Sequence, residues 1–111
     1  MFEGLFKASK TTAILPREVK AKLDAKEKFL LFDVRSPEEY AGGHIEHSIN
    51  LPVQDIRTHT AKYTRSKDME IVVYCLSGAR SSRALGMLEQ MGYTNVRNLG
   101  GISSWPYGSV R

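Results

Sequence analysis

The sequence predicts an α/β fold: a mostly parallel, five-stranded sheet with helices on both faces. Three observations predict it. Short apolar runs alternate with segments of helical periodicity, the order of a parallel sheet with crossover helices. Two of those runs, FLLFDV (29–34) and IVVY (71–74), are apolar at nearly every position, which is how strands covered on both faces read. The clearest helix, Arg80 to Met91, sets Ala84, Leu85, Leu88 and Met91 on one face and has Gly92 where a C-terminal cap belongs.

Each element has its own local cause. Thr11 to Leu15 reads as a short first strand. Pro16 suits the first position of a helix that carries Val19 and Leu23 on one side. Phe29 to Val34 is the second strand. Ser36-Pro37-Glu38-Glu39 reads as a helix start, with Ser36 as N-cap, Pro37 at the first helical position and Glu39 closing a capping box. Gly42-Gly43 ends that helix. Ser48 to Leu51 is a brief strand stopped by Pro52, and residues 53–65 are expected to be helical. Ile71 to Tyr74 and Val96 to Leu99 complete the sheet. Gly100-Gly101 leads into a turn through Trp105.

The chain of 111 residues suits one domain, 1–111, with a core at about 11–105. Residues 1–10 and the tail from Pro106 to Arg111 are expected to fray. At 41% hydrophobic and 25% charged, the composition is that of a soluble globular protein. No apolar run is long enough for a membrane span. MFEGLFKASKTTAILP has no basic stretch followed by a long apolar one, so no secretory signal is expected. The net charge of +4 favours anionic partners. The basic residues of REVKAKLDAKEK (17–28) are interleaved with acidic ones, which reads as a solvated helix face, not a nucleic-acid surface.

Cys75, the only cysteine, excludes an internal disulfide and fits a reducing compartment, taken as the cytoplasm. It stands at the carboxyl end of a buried strand and before the clearest helix, where ligands of parallel sheets bind. Leu76, Ser77, Gly78 and Ala79 must curl between the two, and Gly78 permits the backbone that such a curl needs. Inward-pointing amides and the positive end of the helix beginning near Arg80 would stabilise a thiolate, a persulfide or a bound oxyanion. Ser77, Ser81 and Ser82 offer hydroxyls nearby, and Arg80 adds a fixed positive charge. The plainer reading, a small buried hydrophobe, is the usual one for a cysteine without such surroundings.

With these features in view, the chain resembles a single-domain rhodanese, a sulfurtransferase, from about Thr11 to Trp105. Four blocks carry the resemblance: DVRSPEEYAGGHI (33–45), SINLP (48–52), IVVYCLSGARS (71–81) and LGGISSW (99–105). It implies that Cys75 takes the outer sulfur of a donor such as thiosulfate, holds it as a persulfide and yields it to an acceptor such as cyanide or a thiol, with no cofactor and no metal. It implies also that amides from Leu76 to Arg80 hold the persulfide and that Arg80 helps bind the donor's oxyanion end. Related phosphatases and arsenate reductases have a loop one residue longer. The six residues from Cys75 to Arg80 therefore point to sulfur, not phosphorus. Leu76 departs from the Arg or Lys common in thiosulfate-using members, so a protein or small-molecule persulfide is an alternative donor. Two further alternatives are a persulfide-relay module working with a protein partner and a non-catalytic binding domain.

The remaining polar residues read more plainly. Asp33 and Arg35 belong near the site entrance by resemblance. Structural roles suit them better, Asp33 receiving hydrogen bonds from loop amides and Arg35 pairing with Glu39. His44 and His47 have neither a second cysteine in the chain nor a carboxylate cluster nearby with which to build a zinc site. His44 is expected to anchor its loop, and His59 to sit on an exposed helix. Trp105, Met87 and Met91 are expected to pack the core.

Overall fold

A computed structural model of the chain describes residues 12–111. Among these residues the helices are α1 (Pro16–Asp24), α2 (Pro37–Ala41), α3 (Ile56–His59) and α4 (Ala79–Gln90). The strands among them are β1 (Leu30–Asp33), β2 (Ile49–Asn50), β3 (Ile71–Cys75) and β4 (Val96–Gly101). Among the described residues the sheet has the order β2-β1-β3-β4, and every pair in it is parallel.

The expected sheet of five strands is corrected to four. The segment before α1 meets β4 through a single parallel bridge, Ala13 to Asn98. Asn98 donates to the Thr12 carbonyl and Ile14 donates to the Asn98 carbonyl. Pro16 has no N–H to extend the ladder and begins α1 at once. Thr11 lies outside the described residues. Residues 53–65 also depart from one continuous helix: α3 is flanked by the 3₁₀ turns Val53–Asp55 and Thr60–Lys62.

Residue alternation along the strands builds two cores. Phe32, Val73 and Cys75 point to one face and pack with Ile56 of α3 and with Ala84 and Leu88 of α4. Leu31, Val72 and Tyr74 point to the other and pack with Val19 and Leu23 of α1. Helices thus cover both faces, as the continuous apolar runs require. Met87 and Met91 lie against the first core and Trp105 against the second. The mixed charges of α1 pair at its surface, Lys20 with Asp24 and Lys22 with Glu27 and Glu70. Among the described residues no helix is long and apolar enough to cross a membrane.

The C-terminal tail is ordered, contrary to expectation. Val110 and His44 exchange two backbone hydrogen bonds of 2.8 Å. Arg111 Nε donates to the Gly42 carbonyl and Trp105 Nε1 to that of Gly108. The tail holds because its donors and acceptors find partners on the segment that follows α2.

Tyr74 joins that segment to the sheet. Its ring is fully buried, and its hydroxyl accepts the Ile45 N–H at 3.0 Å and meets Ser48 Oγ at 2.9 Å. Burial pushes the phenol's pKa well up, so it stays protonated. Tyr74→Phe would leave the buried Ile45 N–H without its acceptor. A loss of about 1–3 kcal/mol is expected, seen as a lower urea midpoint with an unchanged slope. A midpoint equal to that of the wild type would contradict this role.

Candidate active site

β3 ends at Cys75, and α4 begins four residues later at Ala79. Gly78 is the N-cap and has φ +114°, a left-handed backbone that side chains resist. That conformation turns the loop around the sulfur. The Gly78 N–H donates to Cys75 Sγ at 3.0 Å and the Ser81 N–H at 3.3 Å. Ser81 Oγ lies 3.5 Å from Sγ. The same hydroxyl lies 3.1 Å from the Gly78 carbonyl and 3.4 Å from the Gly100 carbonyl. Ser82 Oγ instead accepts from Asn98 Nδ2, so Ser81 is the serine that meets the sulfur.

Cys75 is 1% exposed, so the sulfur forms the floor of the loop. Burial pushes the thiol's pKa up. Hydrogen bonds from the Ser81 side chain and from the amides of Ser81, Gly78 and Ser77 outweigh it, and the net direction is down. Ala79 and Arg80 open α4, where N–H groups have no intrahelical acceptor.

β4 seats this loop. Its pairing with β3 shifts register between Val73 and Tyr74, so that Tyr74 faces Gly100 and Cys75 faces Gly101. A Cβ on Gly101 would meet the Leu76 carbonyl oxygen and lie 2.8 Å from Ser77 Cα. The backbones therefore approach closely at Gly101, which only a glycine allows. Ser103 N–H donates to the Leu76 carbonyl and ties the loop to the turn after β4.

The charged residues sort differently from the expectation. Asp33 and Arg35, 0% and 5% exposed, pair with each other. Arg35 Nε and Nη2 reach the Asp33 carboxylate at 2.9 and 2.6 Å, and Nη2 also donates to the Gly43 carbonyl at 2.8 Å. Asp33 does receive a loop amide, that of Arg35. Glu39, expected to pair with Arg35, instead takes Arg80 in two contacts of 2.7 and 2.9 Å. Asp33 is already within reach of Arg35 through the bend after β1, which leaves Glu39 to face the loop. The Arg80 pairing, with the Ser36 amide, holds the Glu39 carboxyl down at about 2. Ser36 and Glu39 also form the expected capping box. The pairing of Glu39 with Arg80 is what sequence reasoning missed, because the capping box and the nearby Arg35 already accounted for the carboxylate and Arg80 is 41 positions away.

His44 anchors its loop as expected, with Nδ1 on the Tyr40 carbonyl at 2.8 Å and its ring stacked on that of Tyr40. His59 is half-buried, not exposed. Among the described residues no group of three or more His, Cys, Asp or Glu side chains gathers. A cleft of about 180 Å³ beside Lys20, Trp105 and Tyr107 lies on the α1 side, away from Cys75.

This chain, with its cysteine at a strand end ringed by amides in a short loop before a helix, matches the family model for the rhodanese-like domain over residues 15–106. The chain belongs to the rhodanese-like family. It is similar to the thiosulfate sulfurtransferase PspE of Escherichia coli K12, 39% identical over 70 residues, or 63% of this chain and 67% of that one. It is similar also to a sulfurtransferase of Allochromatium vinosum, 44% identical over 80 residues, or 71% and 73% of the two chains. Among solved structures, the human single-domain sulfurtransferase TSTD1 matches with a TM-score of 0.75 at 28% identity, covering 86% of this chain and 96% of that one. An Escherichia coli rhodanese with anions matches with a TM-score of 0.70 at 34% identity, covering 74% and 96%. The reaction class is that of a rhodanese-type sulfurtransferase.

Gly101→Ala should displace the Leu76–Ser77 backbone and with it the amides on the sulfur. Sulfur transfer is expected to fall about tenfold or more, as misplaced catalytic groups do, while circular dichroism stays that of the wild type. Wild-type turnover in this variant would show that the loop does not depend on that contact.

Proposed function

We propose that this protein moves sulfane sulfur from thiosulfate or a persulfide to a thiophilic acceptor through a persulfide on Cys75. The observation that carries this reading is the pair of N–H groups, from Gly78 and Ser81, on a sulfur at the C-terminal edge of the sheet. Donors placed there favour the thiolate, the attacking form, and would equally favour an anionic persulfide.

The reaction is a double displacement. The Cys75 thiolate attacks the outer sulfur of thiosulfate. A bond forms from Sγ to that sulfur, the donor's S–S bond breaks, and sulfite leaves with the electron pair. A persulfide donor loses its thiolate in the same way. Cyanide or a thiolate then attacks the outer sulfur of the Cys75 persulfide and leaves as thiocyanate or a new persulfide, and the Cys75 thiolate is restored. The amides of Leu76, Ser77, Gly78, Ala79 and Arg80 would cradle the charge on the outer sulfur. Asp33 and Arg35 would support the rim by holding Gly43. No cofactor or metal enters this scheme.

We assign the activity to a single rhodanese-like domain working in the cytoplasm, where one unpaired cysteine stays reduced. Leu76 supports a second reading, relay of sulfur with a protein donor or acceptor. Leu76 follows Cys75 directly in the chain, is 47% exposed and offers a sulfonate no charge.

Intact mass after incubation with thiosulfate, or with a low-molecular-weight persulfide, tests the scheme. A gain of one sulfur atom is expected, lost to cyanide as thiocyanate, and absent from Cys75→Ser. No gain from either donor, or a gain in the serine variant, would remove Cys75 from the reaction.

A further inference from the structure

Resting on the sulfurtransferase reading, we propose that Glu39 is a specificity-determining residue that withholds Arg80 from the oxyanion end of thiosulfate-type donors and so favours donors whose charge lies on sulfur. Arg80 is the only cationic side chain between Cys75 and the first turn of α4 that borders the loop. Its two terminal nitrogens are both directed at the Glu39 carboxylate, at 2.7 and 2.9 Å. Two oxygens of a tetrahedral sulfonate can take a guanidinium's paired N–H donors, as two oxygens of a carboxylate or a phosphate do. To take the bidentate position on Arg80 it must displace Glu39.

Glu39 is well placed to resist. Its Oε1 also accepts the Ser36 N–H at 3.0 Å, and the Ser36 hydroxyl accepts the Glu39 N–H at 3.2 Å, so the cap of α2 fixes the carboxylate before Arg80 arrives. The N-cap of α2, Ser36, directly follows Arg35, whose guanidinium is tied to Asp33 and to the Gly43 carbonyl beyond the helix. Nor does a second charge stand at the loop's start, where Leu76 is exposed. A persulfide donor needs neither cation. Its negative charge lies on the sulfur that the loop amides would receive, and its remaining atoms can lie against Leu76.

The Glu39→Gln variant separates the two duties of this side chain. Glutamine still closes a capping box but carries no charge to hold Arg80. Thiosulfate binding is to be measured by calorimetry in the Cys75→Ser protein, which requires no sulfur transfer. Adding Glu39→Gln should tighten binding roughly twofold to fivefold, the scale of a part-exposed ion pair. The gain should vanish when Arg80→Ala is also present, as a coupled pair requires. Unchanged or weaker binding on Glu39→Gln, or an equal gain without Arg80, would overturn the proposal. In the active protein, Glu39→Gln should lower the KM for thiosulfate and leave that for a persulfide unchanged. A cap-only role would move both donors alike and shows itself as a lower urea midpoint. Because the binding measurement is made without the nucleophile, its failure leaves the intact-mass result on Cys75 untouched.

Discussion

The N–H groups of Gly78 and Ser81 point at Cys75 Sγ from 3.0 and 3.3 Å, and both depend on the left-handed backbone at Gly78. A buried sulfur without such donors would keep its proton, since burial disfavours the charged form. The surrounding structure can be read as what keeps these donors in place. β3 delivers the cysteine to the sheet edge, and α4 starts where its first N–H groups face the same point. Gly101 leaves room beneath Leu76 and Ser77, and Ser103 ties down the Leu76 carbonyl. Packing from Ala84 and Leu88 fixes α4 against β3. The sulfur is thus held by backbone, which has fewer ways to move than a long side chain.

Around this loop lies a rim of paired charges. Asp33 with Arg35 and Glu39 with Arg80 join β1, α2, the Gly43 turn and α4. The first pair is buried and stays near neutral cost because both partners are satisfied. The second is part-exposed, so salt screens it and a bound anion can compete with it. The rim therefore divides into a fixed support and an adjustable contact. The C-terminal tail closes over the same turn through Val110 and Arg111.

Much of this was legible in the chain itself. The continuous apolar runs of β1 and β3 required cover on both faces, and the two cores supply it. Ser36-Pro37-x-Glu39 required a helix start, and α2 starts there. Cys75, with its glycine-containing loop and following helix, announced a backbone curl, and the amides of Gly78 and Ser81 do turn onto its sulfur. What stayed hidden was long-range or depended on a second use of one group. Glu39 satisfied a local pattern, and nothing local shows that its carboxylate also meets Arg80, 41 positions away. The first strand shrank to one bridge because Pro16 ended the available donors. The tail is ordered through partners near His44, distant in sequence.

Backbone donors at Gly78 and Ser81 lower the pKa of the Cys75 thiol against the opposing effect of burial. A thiol whose folded pKa lies below its unfolded value stabilises the fold above the unfolded pKa. That contribution is lost as pH falls through the folded value. The direct measurement is the ultraviolet absorbance of the thiolate against pH in the native protein, with Cys75→Ser as the blank. A midpoint below the ordinary thiol value of about 8.5 is the predicted result, moving up toward it in urea. A native midpoint at or above that value would contradict the account, because burial would then outweigh the Gly78 and Ser81 amides.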